Sequence, residues 1–147
     1  SRRALAEMRA RLEREQGSQN PLKAGRGGYY DIDFALMYLR LKGAGIFYRV
    51  LNTPARIEVI EKMGHLEPAD AEFLRDAATF YRAVDHGLRV STGHTEGDLP
   101  TAPAQLANLT ELVGRWTPLH LHDQPIDIEL SQIQRQTREY FNRLFGT

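Results

Sequence analysis

Cysteine is absent from the 147 residues, which excludes disulfides and thiolate-ligated metal sites. That absence suits a reducing compartment, and the expected location is the cytoplasm. Net charge is absent as well. Nineteen basic residues balance 19 acidic ones, so the chain lacks the excess positive charge that drives most nucleic-acid binding. No apolar run approaches the length needed to cross a bilayer. The opening Ser1-Arg2-Arg3 leads into charged sequence rather than into the hydrophobic stretch of a secretory signal. Neither nucleic acid nor membrane is therefore an expected partner. There is no initiator methionine, and the chain opens inside a helical pattern. The expectation is a single helical domain, 1–147, cut from a larger multidomain enzyme. Sustained strict alternation of polar and apolar residues is also missing, which argues against strands.

The sequence does contain enough apolar material for a core, 41% of residues, and an ordinary 26% of charged ones. Apolar residues recur at helical spacing in most segments. Leu5, Met8 and Leu12 mark one face of an amphipathic helix over Arg2 to Glu15. Gly17, Asn20, Pro21, Gly25, Gly27 and Gly28 then mark an irregular loop. A second helix is predicted from about Asp31. Its apolar residues (Ile32, Phe34, Ala35, Leu36, Met37, Leu39, Leu41) cover nearly the whole circumference, which places it centrally. Gly43 and Gly45 weaken it, with helical pattern resuming over Ile46 to Leu51.

Asn52-Thr53-Pro54 reads as a helix start, with Ile57, Ile60 and Met63 facing inward and Gly64 as the stop. A long helix follows from Pro68 to Ser91, carrying Phe73, Ala77, Phe80, Tyr81, Val84 and Leu88. Thr92 to Ala102 reads as a loop. Leu106, Leu109, Val113 and Trp116 mark a further helix. The last one carries Ile128, Ile133, Tyr140, Phe141 and Leu144 and ends at Gly146. The predicted fold is all-α: an up-and-down helical bundle with a four-helix-bundle-like core and extra helices.

The most distinctive stretch runs from Lys23 to Phe34. It is a glycine-rich loop feeding a helix start, with Lys23 and Arg26 upstream and Asp31 and Asp33 just inside. Glycines allow close approach of backbone to a ligand, and free amides at a helix start bind phosphate. The competing reading is a capping turn whose charges pair among themselves. Lys23, Gly25, Arg26, Gly27, Gly28, Asp31 and Asp33 are thus candidates for binding a nucleotide or a partner. Gly17-Ser18 followed by Asp31-x-Asp33 imitates the Gly-Ser and Asp-x-Asp pair of a nucleotidyltransferase metal site. Such a site carries its carboxylates on a strand, where both aim into one cleft; on a helix, positions two apart diverge by about 200°. No metal ligand and no catalytic residue is assigned here. His120, His122 and Asp123 are the only dense set of metal-ligand types, and they read as solvated loop residues. His65 beside Gly64 suits a helix C-terminus. Asp85-His86, flanked by Arg82 and Arg89, reads as a polar seam or an interface.

Lys23-x-Gly25-Arg26-Gly27-Gly28-x-x-Asp31-Ile32-Asp33-Phe34 resembles the Lys-x-Gly-x-Gly-Gly-Ile-x-(Glu/Asp)-Ile-Glu-Phe signature of glutamine-synthetase adenylyltransferases. The resemblance continues in order through Asn52-Thr53-Pro54 and Phe80-Tyr81-Arg82-Ala83-Val84-Asp85-His86. It extends through His94-Thr95, Leu99-Pro100 and Thr137-Arg138-Glu139-x-Phe141-x-x-Leu144-Phe145. Tyr29-Tyr30 depart from it, standing where Ile and a polar or basic residue are usual.

The resemblance implies a bifunctional cytoplasmic enzyme that adds AMP from ATP to glutamine synthetase and removes it by phosphorolysis. Each half of such an enzyme pairs a nucleotidyltransferase domain with a helical bundle. ATP and Mg2+ then belong to the parent enzyme, and none is expected in this fragment, which alone is expected to be inactive. The implied partners are glutamine synthetase, the PII signalling protein and the parent's nucleotidyltransferase domain. Two roles follow. The helical domain helps form the nucleotide or target-protein cleft, or it is a pure interaction module for PII or glutamine synthetase.

Overall fold

The structure is a computed structural model that describes residues 1–43, 53–92, 98–117 and 124–147. Among these residues the regular elements are six helices and no strand: α1 (Arg2–Gln16), α2 (Tyr29–Gly43), α3 (Thr53–Lys62), α4 (Pro68–Thr92), α5 (Pro103–Gly114) and α6 (Ile126–Phe145). The predicted all-α class is what the chain adopts. The resumption over Ile46 to Leu51, the Asn52 cap, Gly93, His94-Thr95 and the His120-His122-Asp123 cluster lie outside the described residues.

α2 is central, as its all-round apolar surface predicts: it packs against α1, α3, α4 and α6. Ile32, Ala35, Leu36 and Leu39 enter the main core, while Phe34 on another side joins Leu5, Phe141 and Phe145 in a second, smaller one. α4, about 37 Å long at 1.5 Å per residue, lies along the main core. Its Ala71, Ala77, Ala78 and Ala83 let neighbouring helices approach closely around Leu74, Phe80, Val84 and Leu88. At Gly87 a methyl group would meet the end of the Leu109 side chain of α5 at 2.9 Å, so glycine there allows α4 and α5 to cross closely without displacing that side chain.

Helix ends follow local chemistry. Ser1 caps α1 by accepting from the Ala4 amide at 3.2 Å. Pro103 opens α5 without a side-chain cap. Pro125 cannot cap α6, and Thr110 of α5 supplies the acceptor instead, taking the Ile126 amide at 3.2 Å. Asp127 and Glu129 in the first turn of α6 complement its dipole.

Three inward assignments are corrected. On α1 the buried positions are Leu5 and Arg9, whereas Met8 is 50% exposed; an arginine whose three guanidinium nitrogens each donate to an internal acceptor has displaced the thioether from the interior. On α6, Ile128 is 46% exposed, and Ile126, Leu130, Ile133, Thr137, Tyr140, Phe141 and Phe145 form the buried stripe. Met63 lies beyond the end of α3 and is exposed. Trp116 sits past the end of α5, where its ring meets His86 of α4 edge-on at 4.5 Å.

Candidate functional site

α2 begins at Tyr29, two residues before the predicted start, because the preceding turn is already wound. The amides entering the helix are all occupied. Gly28 donates to the Gly25 carbonyl at 2.9 Å, Tyr29 to Leu22 at 2.8 Å and Tyr30 to Lys23 at 2.9 Å. Asp31 donates to Gly28 at 2.9 Å, and Gly27 donates to the Asp31 carboxylate at 3.1 Å. The amides of Gly27 through Asp31 therefore bond within the turn and the helix start. Gly27 shows what the glycines do. Its φ of 74° lies in the left-handed region, and a Cβ there would come within 2.0 Å of the Gln134 carbonyl oxygen on α6. The Tyr81 hydroxyl donates to the Gly27 carbonyl.

Asp31 is the hub of this arrangement. Arg9 Nε donates to Oδ1 at 2.6 Å, and Arg138 donates through Nε to Oδ2 at 2.8 Å and through Nη2 to Oδ1 at 3.0 Å. Arg9 also donates through Nη1 to the Ala24 carbonyl at 3.0 Å and through Nη2 to the Gly25 carbonyl at 2.7 Å. Arg138 also pairs with Glu13. Two guanidiniums and two carboxylates thus join α1, the turn, α2 and α6 in one neutral cluster. Burial pushes the Asp31 carboxyl upward from the ordinary range, against the pull of Arg9 and then Arg138. The four N–H groups converging on its oxygens suit the ionised form.

Asp33 faces another way. Arg56 Nη2 of α3 donates to Asp33 at 3.1 Å and to the Thr53 hydroxyl at 3.0 Å, and Thr53 shares a hydrogen bond with the Tyr29 hydroxyl. Tyr29, a departure from the resembled signature, thereby fastens the start of α2 to the start of α3. Burial raises the Asp33 carboxyl as well, opposed by Arg56. Because the two aspartates meet different arginines, they do not form a paired metal-binding set. Among the described residues no group of three or more His, Asp or Glu is placed to hold a metal ion.

The two cations of the motif also part company. Lys23 lines a cavity of about 170 Å³ with Leu22, Tyr29, Tyr81, Arg82 and Asp85. The exposed Arg26 lines a different one, of about 290 Å³, beside Glu13, Arg138 and Asn142. The first cavity falls below the roughly 300 Å³ where pockets for drug-sized ligands begin, so it is too small for a whole nucleotide. The structure therefore unites Gly25, Gly27, Gly28 and Asp31 in a buried scaffold and presents Lys23, Arg26 and Asp33 around it.

Sequence reasoning missed Arg9, Glu13 and Arg138 as partners of Asp31, and Arg56 as the partner of Asp33. Arg9 does carry a signal, since it stands four residues after Leu5 on the same helical face. Arg138 lies within the resembled terminal segment.

Comparison with known proteins shows the family. Residues 1–145 match the family described as GlnD PII-uridylyltransferase. A bifunctional glutamine synthetase adenylyltransferase/adenylyl-removing enzyme of Rhodopseudomonas palustris (strain TIE-1) is 31% identical over 97% of this chain, which covers 14% of that protein. The enzyme of the same name from Nitrosococcus oceani is 36% identical over 62% of this chain and 10% of its own length. That from Hahella chejuensis is 33% identical over 59% of this chain and 9% of its own length. This chain thus spans about a tenth to a seventh of the curated relatives it matches. It belongs to the family described as GlnD PII-uridylyltransferase, among relatives that are bifunctional glutamine synthetase adenylyltransferase/adenylyl-removing enzymes.

Proposed function

We propose that this chain is a helical accessory domain of an enzyme that adenylylates and deadenylylates glutamine synthetase, and that it helps form the nucleotide or target-protein cleft beside a nucleotidyltransferase domain elsewhere in the parent. One observation carries the reading. The Lys23 and Arg26 side chains make no hydrogen bond or ion pair with the described residues, yet they project from a turn immobilised by the Arg9–Asp31–Arg138 cluster. Charges held on a rigid support without internal partners are available to an anionic group from outside. ATP and Mg2+ act in the parent's nucleotidyltransferase domain. The described residues hold neither a metal-binding set nor a nucleotide-sized cavity around Lys23. On this reading chemistry on the nucleotide belongs to the parent, which acts in the cytoplasm. No described helix is long and apolar enough to cross a membrane.

The test is made in the intact parent enzyme. Arg26→Ala and Lys23→Ala should each lower the rate, or raise the Michaelis constant, of AMP transfer or AMP removal. Unchanged constants in both directions overturn the assignment.

A second reading, a pure interaction module for PII or glutamine synthetase, is favoured by the matched family's own description, which names PII. It predicts that calorimetry detects PII or glutamine synthetase binding that is indifferent to ATP and to the Lys23 and Arg26 substitutions.

A further inference from the structure

We infer that the open groove where α4 passes the end of α5, floored by Trp116 and Ala83, is the docking site for an acidic amphipathic helix from a part of the parent polypeptide outside residues 1–147. The inference rests on the proposed function in placing the chain within a longer enzyme. It adds a second surface, away from Arg26, with a partner of its own.

A cavity of about 290 Å³ opens between Thr79, Arg82, Ala83 and His86 of α4 and Trp116, just past the end of α5. Trp116 is the one tryptophan of the chain and stands 40% exposed, its ring in edge-on contact with His86. Thr79, Ala83, His86 and Val90 follow at steps of four, three and four residues, so they share one side of α4 over about 16 Å. Val90, 60% exposed, carries this stripe beyond the cavity. The core side of α4 is filled by Leu74, Phe80, Val84 and Leu88, so the tryptophan and valine are apolar surface outside the core. Exposed tryptophan beside an aliphatic stripe is the composition of an interface centre.

Shape and charge select the partner. The described residues include no strand, hence no sheet edge, and side chains must do the holding. A stripe of about 16 Å matches three turns of a second helix laid in the groove. The lining residues of the cavity include Arg82 and no carboxylate. Arg82 makes no hydrogen bond or ion pair with the described residues. It also lines the neighbouring cavity with Lys23, where the one carboxylate, Asp85, is bound by Arg89 at 3.2 Å. A helix that sets apolar residues on Trp116 and Val90 and a Glu or Asp beside Arg82 complements both features. The patch is far smaller than the roughly 1,200–2,000 Å² that a freely diffusing partner needs, whereas a tethered segment docks at high effective concentration. The curated relatives have room for one, since this chain spans 10% and 14% of two of them.

Hydroxyl-radical footprinting of the parent enzyme and of the 147-residue chain tests the site, with Trp116 oxidation read by mass spectrometry against a reference peptide in the same tube. Trp116 should oxidise at least about fivefold more slowly in the parent than in the chain, because a docked helix excludes water from it. Arg82→Glu in the parent should return Trp116 to the rate of the isolated chain, whereas Arg82→Lys, which keeps the charge, should preserve the protection. Circular dichroism melts establish that each variant is folded. Equal Trp116 rates in parent and chain overturn the docking site, as does a Trp116 already shielded in the chain. Protection that survives Arg82→Glu overturns the acidic partner. Protection that grows in the chain with its concentration identifies a second copy, and protection that requires added glutamine synthetase identifies a separate protein; either overturns the intramolecular assignment. The Arg26 kinetics concern the cavity between α1 and α6, so the two readings fail separately.

Discussion

Arg138 on α6 grips both carboxylate oxygens of Asp31 on α2, at 2.8 and 3.0 Å, across 107 residues of sequence. The bond closes the bundle by joining its last helix to its central one, at the turn that presents Lys23 and Arg26.

Removing one member of this cluster leaves buried charges without a counterion. Asp31→Ala strands Arg9 and leaves Arg138 with Glu13 alone, and it is expected to destabilise the chain by about 3–5 kcal/mol, a large share of the roughly 5–15 kcal/mol typical of a domain. Arg138→Met should also be costly, though less so, because Arg9 still serves Asp31. Urea unfolding measures both. A loss under about 1 kcal/mol for Asp31→Ala would show that the cluster is not structural.

Gly27 and Gly64 share nearly the same left-handed backbone, φ 74° and 79°, but differ in surroundings. A methyl group at Gly64 meets nothing within 4 Å, whereas at Gly27 it strikes the Gln134 carbonyl. Gly64→Ala should cost only the left-handed penalty of about 1–2 kcal/mol. Gly27→Ala should cost at least about 2 kcal/mol more, since backbone must move. Equal midpoints for the two variants in denaturant would contradict this packing.

The face of α1 that points inward is testable by size and polarity. Leu5→Ala should destabilise by about 2–4 kcal/mol through cavity formation in the smaller core. Met8→Gln should stay within about 0.5 kcal/mol of wild type, as befits an exposed position. The reverse order would place the methionine inside.

Burial raises the phenol groups of Tyr81 and Tyr140 well above their ordinary value of 10.0. A group whose folded value exceeds its unfolded one favours the folded state fully below the unfolded value, and that stability is lost as pH rises toward the folded value. Stability should therefore fall above pH of about 10. Phenolate absorbance should show these two tyrosines ionising only with unfolding. Tyr81→Phe gives up the hydrogen bond to the Gly27 carbonyl, and it should shrink the alkaline loss. Six tyrosines titrating freely in a folded chain would refute the burial.

Much of the helical framework was legible before any coordinates. The α4 pattern predicts Pro68 to Ser91 and the helix runs Pro68–Thr92. The all-round apolar surface of α2 predicts its central place. Gly146 adopts the left-handed C-cap expected of a helix stop. The misplaced residues have a common cause. Met8 and Ile128 fit their helical stripes by hydrophobicity alone, but Arg9 has carbonyls and a carboxylate waiting for it, and Ile126 and Leu130 already fill the core beside Ile128. Hydropathy carries no record of which buried charge will find a partner.

By itself the sequence determined the helical class, most helix limits and the family, because periodicity, caps and motif order are local properties of the chain. Only the tertiary structure decided how the glycine-rich motif is arranged. Its amides from Gly27 to Asp31 bond internally, Asp31 and Asp33 part toward different arginines, and Lys23 and Arg26 line separate cavities. Charge pairing depends on distances between segments far apart in the chain, and those distances exist only once the helices have packed.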